Sequence, residues 1–251
     1  QNPKTPFLWK INKIIFQVIG KENTYHKVPS QQFGFENICG ILKNQYEGQI
    51  NTGKMMYRFH QLTISKDIKV LFGIDVKDWN YASNGVIVET SVGTIKTEKL
   101  LIATNGFTKK LLPEIDLKPA RSQVLITEPF EKAPFIGTFH YDEGYSYFRN
   151  VGNRILLGGG RNKDLDGEIT TDFSNTPLII NHLKSLLDEV IIPGKKYKIE
   201  QTWAGIMGVG ESKSPIVKKH SENVFLGVRL GGMGVAIGSL IGKELADIAN
   251  W

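Results

Sequence analysis

The sequence predicts a mixed α/β (α+β) protein with a mostly antiparallel sheet in its middle, residues 122–203, and α/β pieces on either side. Three observations carry this. Short strand candidates such as "SQVLITE", "GYSYFRN" and "RILLGGG" follow one another with turn residues between them. Residues 51–65 and 175–191 repeat apolar positions at helical spacing. The last segment runs from apolar "ENVFLGVRL" through glycines into "VAIGSLIGKELADI", a strand followed by a helix. Hairpins alternating with strand–helix units mark a mixed chain.

In chain order, "KIIFQVIG" admits a short strand or a helix piece, and "QFGFENICGILKNQYEGQI" reads as loop. Asn51 or Thr52 then caps an amphipathic helix with Met55, Met56, Phe59 and Leu62 on its apolar side. "KVLFGIDV" (69–76) follows as a buried strand. "GVIVETSVGTIKTEKLLIATNG" reads as a hairpin whose second arm runs into an apolar strand ending at "ATNG". Pro113 and Pro119 mark a link. Strands are predicted at 122–128, 144–150 and 154–160, with "VGNR" turning between the last two. The helix over 175–191 has Pro177 in its first turn, where a missing N–H costs nothing. "KYKIEQTWAGIMG" is a strand entering a glycine corner.

The 251 residues suffice for one large domain or two modest ones, and 41% hydrophobic with 22% charged residues supplies a core. The net charge of +6 comes without a run of five or more like charges, the pattern of a solvated basic surface; a phosphate- or carboxylate-bearing partner is the sharper reading. Cys39 is the only cysteine, so no internal disulfide forms. Its apolar neighbours predict a buried thiol. No secretory leader is expected, and the most apolar stretch, 230–241, is too short to span a bilayer of about 20 helical residues. A cytoplasmic protein without membrane contact is expected. His26, His60, His140, His182 and His220 lack ligand spacing, so no metal site is expected.

The glycines near the end need a reason, because each costs a helix about 1 kcal/mol relative to alanine. In "RLGGMG" they let backbone amides approach a ligand with no Cβ in the way, at the positive end of the following helix. Gly234, Gly238 and Gly242 fall on one helix face and admit a close neighbouring backbone. A tightly packed helix with no ligand explains the pattern equally well.

Four ordered motifs decide between these: "LLIATNGFTKKLLP" (100–113), "YFRNVGNRILLGGGR" (147–161), "TWAGIMGVGESKSPIV" (202–217) and "NVFLGVRLGGMGVAIGSLIGKELAD" (223–247). Together they resemble the D-amino-acid-oxidase-like family of flavin oxidoreductases, from about residue 35 to the end. The "YFR…RILLGGGR" form is most similar to its γ-glutamylputrescine oxidase branch. The family opens with a strand–GxGxxG–helix unit that holds the FAD pyrophosphate, and nothing in this sequence matches it. The chain is therefore expected to be the C-terminal portion of a longer enzyme, with an incomplete Rossmann-like FAD-binding domain (51–118 and 204–251) and a substrate-binding domain (1–50 and 119–203).

The resemblance implies the site. Val76 of "IDV" corresponds to the position where a strand meets adenine. Ala103, Thr104, Asn105 and Gly106 correspond to the loop beneath the nucleotide. Gly205 and Ile206 lead towards the isoalloxazine. Leu230, Gly231, Gly232, Met233 and Gly234 correspond to the loop over the pyrimidine ring, with Val235 starting the helix. Tyr145, Tyr147 and Arg149 share one face of the predicted strand and are suited to a carboxylate. Tyr145 matches a substrate-contacting tyrosine of amino-acid-oxidising relatives, so Tyr145 and Arg149 are the candidate catalytic residues; an exposed sheet face is the plain alternative. Some relatives hold the substrate carboxylate with an arginine at the positions of Met207 or Gly232, and neither is present. Covalent-flavin relatives use a cysteine near the C-terminal flavin loop; Cys39 lies elsewhere, so FAD is expected to be non-covalent. Arg121 and Gln123 match a family "RxQ" at the crossover into the substrate domain, where structure is favoured over chemistry.

The function implied is FAD-dependent oxidation of the C–N bond of an amino acid or amine by hydride transfer to flavin N5. The alternatives are a flavin domain acting on a modified tRNA base, which scattered basic residues disfavour, and a non-catalytic fragment lacking half the cofactor site.

Overall fold

The computed structural model describes residues 6–21 and 23–250; the extremities of the predicted segments, residues 1–5 and Trp251, lie outside them. The run "KIIFQVIG" falls within a helix, α1 (Pro6–Ile19). The expected loop contains an antiparallel pair, β1 (Tyr25–Val28) and β2 (Ile41–Asn44). Asn12 of α1 clamps the backbone of Tyr25, donating to its carbonyl at 2.7 Å and accepting from its amide at 2.8 Å. Asn51 caps α2 (Thr52–Ser65) by accepting from the Lys54 amide at 2.9 Å.

"KVLFGIDV" is not a strand. Gly73 turns the chain with φ +70°, and only its last residue enters β3 (Val76–Ala82). Leu71 and Phe72 are 63% and 76% exposed. The predicted second hairpin arm is two strands. β4 (Gly85–Thr90) pairs with both β3 and β5 (Gly93–Thr97), whereas β6 (Leu100–Ile102) joins another sheet. The Thr97 hydroxyl donates to the Lys99 carbonyl at 2.9 Å in the corner between them. There follow α3 (Thr108–Leu111), β7 (Lys118–Thr127), β8 (Thr138–Tyr141), β9 (Ser146–Val151) and β10 (Arg154–Gly159). Next come α4 (Pro177–Leu186) with a π-helical turn (Leu187–Ile191), β11 (Ile199–Val209), β12 (Ile216–Ser221), β13 (Val224–Val228) and α5 (Gly234–Ile248). The sequence pattern gave no warning of β1, β2, β8 or β12.

The chain divides into two compact units, one of residues 1–50, 123–163 and 175–203, the other of 51–122, 164–174 and 204–251. Residues 119–122 and 164–174 therefore belong with the second unit, not with the segment predicted to include them. One five-stranded sheet has the order β11-β7-β10-β9-β8. In the first unit, Leu125, Phe148, Ile155 and Leu157 from this sheet pack with Ile179, Leu183 and Leu187 from α4 and its π turn. Full burial of each such side chain contributes roughly 1.5–3 kcal/mol. Phe35, Phe135, Phe139 and Phe148 add edge-to-face and stacked ring contacts. Of "FENICGIL", Phe35 is buried in this core and Ile38 and Ile41 pack against it half-buried; residues 36–40 form no regular element and Cys39 is exposed, contrary to expectation.

In the second unit β12 and β13 are antiparallel, and β13 runs parallel to β6 with Val224 opposite Leu100. Val86, Ile102, Leu117, Val224, Leu226 and Val228 form its core. The apolar positions of α2 do not join it: α2 has no buried residue, and Met56, Phe59 and Leu62 are exposed.

Candidate functional site

In the second unit three of the predicted segments come together. After β13 the chain enters left-handed conformation at Arg229 (φ +65°), Gly231 (+56°) and Gly232 (+85°) before α5 begins at Gly234. Asn105 binds this turn from the "ATNG" segment: its side-chain oxygen accepts from the amides of Arg229 (3.1 Å) and Leu230 (3.2 Å). The Gly231 amide donates to the Gly208 carbonyl at 3.0 Å. Gly106 is buried where a Cβ would stand 2.6 Å from the Met207 carbonyl oxygen. Only glycine permits that approach.

Ala103 and Thr104 are exposed, and the Thr104 hydroxyl lies 2.9 Å from that of Thr108. Ile206 packs on Gly106 through its side chain, while Gly205 is exposed. Met233 and Val235 are exposed at the start of α5. Val76 is not part of this convergence. It starts β3, opposite Thr90, in the separate sheet of β3, β4 and β5.

The convergence fits one edge of a flat, electron-accepting ring. Cβ atoms placed on Gly205 and Gly231 meet nothing within 4 Å, so there is open space beside the backbone. The amides at the N-terminus of α5, a fifteen-residue helix, add the positive end of its dipole. The fit is partial, because no GxGxxG loop follows a strand anywhere in the 251 residues. The predicted close neighbour on the glycine face of α5 is not found among the described residues: Gly238 and Gly242 have nothing within 4 Å of a Cβ.

Arg229 escaped the sequence reading. It is buried, its Nε donates to the Ser214 carbonyl at 2.9 Å, and its Nη1 donates to the carbonyl (3.0 Å) and carboxylate of Asp116. A non-glycine residue held left-handed marks backbone strain of the kind that clusters at functional sites. The available signal was a lone arginine between an apolar strand and a glycine loop.

In the first unit, β9 begins at Ser146, so Tyr145 closes the preceding turn instead of lying in the strand. The Tyr145 amide donates to Asp142 at 2.9 Å, and its carbonyl accepts from Gly160 at 2.8 Å. A Cβ on Gly159 would come within 2.0 Å of that carbonyl oxygen. The Tyr147 ring covers Gly158. Arg149 donates from Nη1 to the Ile50 carbonyl at 2.6 Å, so one arm of its guanidinium is held by backbone.

Arg121, in the second unit, makes a two-pronged ion pair with buried Glu168, 2.9 Å on each arm, and reaches the Ser174 carbonyl at 3.0 Å. The hydrogen bonds that Arg121 donates to Glu168 raise the pKa of its guanidinium. Gln123, in the first unit, accepts from the Thr176 amide and donates to its hydroxyl, both at 2.8 Å. Both residues tie backbone together. Among the described residues no group of three or more metal-binding side chains occurs, and no helix is long and apolar enough to cross a membrane.

Residues 9–248 match the family described as DAO, FAD dependent oxidoreductase. The chain is 28% identical over 171 residues to the probable oxidoreductase OrdL of Rhizobium meliloti (strain 1021), a match over 65% of this chain and 38% of that protein. It thus spans well under half the length of that curated relative. Among solved structures, L-proline dehydrogenase from P. horikoshii aligns with a TM-score of 0.77 at 18% identity, over 96% of this chain and 69% of its own. Glycine oxidase from Geobacillus kaustophilus aligns at 0.78 and 17%, over 97% and 66%. These likenesses share the mixed α/β fold with antiparallel sheets. A family match across nearly the whole chain, which includes the glycine-rich segments that converge in the second unit, places the protein in the DAO family of FAD-dependent oxidoreductases.

Proposed function

We propose that the protein takes part in FAD-dependent oxidation of the C–N bond of an amino acid or amine. The observation that supports this most is the convergence of residues 103–106, 206–208 and 229–234 on an open-sided backbone surface. Bound FAD would supply a two-electron acceptor for that oxidation. The amides of Leu230, Gly231 and Met233 are already engaged, so those of Gly232 and Gly234 would serve the ring edge, and the dipole of α5 would favour negative charge there. Asn105 and Arg229 fix that loop. The second unit then corresponds to flavin-binding portions and the first to the substrate-binding domain. Tyr145 and the remaining donors of Arg149 hold the substrate carboxylate or an equivalent acceptor group. A substrate amine bound in its neutral form needs orientation and exclusion of water, and no dedicated base. Cys39 lies far in sequence from the loop 230–234, so the flavin would be held without a covalent bond.

The test is substrate-dependent bleaching of the flavin spectrum, without oxygen, in flavin-loaded protein. The panel is amino acids, N-methyl amino acids and γ-glutamyl polyamines. Bleaching by at least one class is expected; a flavin that none of them reduces would overturn the reading.

A further inference from the structure

Behind the corner that carries Tyr145 lies a group of buried polar atoms with no partner. Gly159 and Gly160 turn the chain out of β10 with φ +108° and +76°. The Gly160 amide holds the Tyr145 carbonyl at 2.8 Å. The imidazole of His182, on α4, is packed onto Gly160 so closely that a Cβ there would stand 2.9 Å from His182 Cδ2. His182 Nε2, Ser146 Oγ next to Tyr145, and Asn162 Oδ1 just past the corner are all buried without a hydrogen bond.

We propose that His182 is a positioning residue: its neutral imidazole braces the Gly159–Gly160 corner and thereby the place of Tyr145. The proposal rests on the reading of Tyr145 as a substrate residue. A proton added to the ring puts a cation where no acceptor faces Nε2. The charged groups acting on it come from two neighbouring elements. Lys163, from the 3-10 turn 161–163, opposes the proton. Asp142, from the β8–β9 turn, favours it but is already engaged, accepting from Asn162 Nδ2 at 2.8 Å and lying 3.6 Å from Lys163 Nζ. On β10 the charged residue is Arg154, at the opposite end of the strand and paired with Glu200, and the Gly159–Gly160 corner itself brings only glycine backbone. Burial first and Lys163 second accordingly hold the imidazole pKa below its ordinary value, with Asp142 pulling the other way. The neutral ring's contribution is thus present above the ordinary histidine pKa of about 6.5 and is lost as pH falls through the depressed value.

The test is amide hydrogen exchange at Gly160, corrected for intrinsic rate, beside the NMR titration of the His182 imidazole. Gly160 protection should fall about tenfold or more as pH drops through the imidazole midpoint. Lys163→Gln should raise that midpoint and carry the loss of protection with it, leaving His182 itself in place. His182→Gln should abolish the pH dependence. Protection that does not follow the imidazole in wild type and Lys163→Gln overturns the proposal, even if His182→Gln fails to fold. In flavin-loaded protein, KM should rise on the acid side with the same midpoint while kcat holds. If Tyr145→Phe leaves KM unchanged, the substrate reading falls instead, and the Gly160 result still judges the brace.

Discussion

The side-chain oxygen of Asn105 accepts the backbone amide of Arg229 at 3.1 Å across 124 residues of chain. With the companion bond to Leu230, it joins the end of β6 to the glycine loop. Asn105→Ala should cost at least about 2 kcal/mol in denaturant unfolding, since two part-buried donors lose their acceptor. Asn105 also sits at φ +44°, a conformation that penalises alanine but not glycine. Asn105→Gly should therefore lose less than Asn105→Ala, by about 1 kcal/mol. Unchanged stability in both variants would mean that the tie contributes nothing.

Gly232→Val should lower flavin content and weaken FAD binding about tenfold or more, near 1.4 kcal/mol. At φ +85° any side chain is strained, and a Cβ would lie 3.2 Å from Met207 Sδ. Gly238→Ala provides a contrast. Nothing lies within 4 Å of a Cβ there, so in the 251-residue chain alanine should stabilise α5 by up to about 1 kcal/mol. Flavin content and thermal melting of the two variants check both signs.

How much was legible depended on whether the signal was local. Apolar runs, turn residues and the Asn51 cap announce α2, β7, β9, β10 and α5, because the information lies within each segment. The residues 69–75 misled for the opposite reason. Their apolar run resembles a strand, but a strand forms only where another pairs with it, and Gly73 turns the chain before β3. β12 was missed because "IVKKHS" reads as polar, and it is the pairing with β13 that makes it a strand. Within the site, the glycines were readable as places without a Cβ. The role of Asn105 was not, since its partners follow only after more than 120 residues. Glu168 was likewise hidden: its meaning depends on Arg121, 47 residues earlier.

Breaking the Arg121–Glu168 pair on one side should be severe. Glu168 is 1% exposed, and Arg121→Met leaves its charge buried without its two-pronged partner. A loss of about 3–5 kcal/mol is expected. The double variant Arg121→Met/Glu168→Leu should recover most of it, because an apolar pair needs no desolvation of charge. Urea denaturation of the three proteins decides; a double variant no more stable than the single one would show that the arginine matters through Ser174 instead.

The 251-residue chain by itself should bind FAD weakly. The ring-edge loop is built, but no GxGxxG loop holds the pyrophosphate, and the outer face of α5, with Val235 and Leu240 exposed, has no cover among the described residues. The same chain should bind a hydrophobic dye through the exposed side of α2. Calorimetric titration with FAD and dye fluorescence measure the two; stoichiometric FAD retained through dialysis would contradict the first.

Tyr145→Phe should weaken substrate binding and leave flavin binding intact. Tyr145 lies in the first unit, at the end of a turn fixed by its own backbone: its amide is bonded to Asp142 and its carbonyl to Gly160. Tyr145 is 39% exposed, so removal of the hydroxyl opens no cavity and leaves the corner in place. What is lost is one neutral hydrogen bond to substrate, worth roughly 0.5–1.5 kcal/mol, or about three- to tenfold in apparent affinity. A bond equally strong in ground and transition states appears in KM, not in kcat. Arg149→Met should cost more with a carboxylate substrate, because a charge-assisted bond is lost. It also removes the 2.6 Å bond to the Ile50 carbonyl, so Arg149→Lys serves as its control, keeping a cation without the planar fork. Steady-state kinetics on the best substrate of the panel separate the cases. Wild-type kcat/KM in both Tyr145→Phe and Arg149→Met would make the turn at Tyr145 and the strand face at Arg149 a plain solvated surface and move the substrate elsewhere.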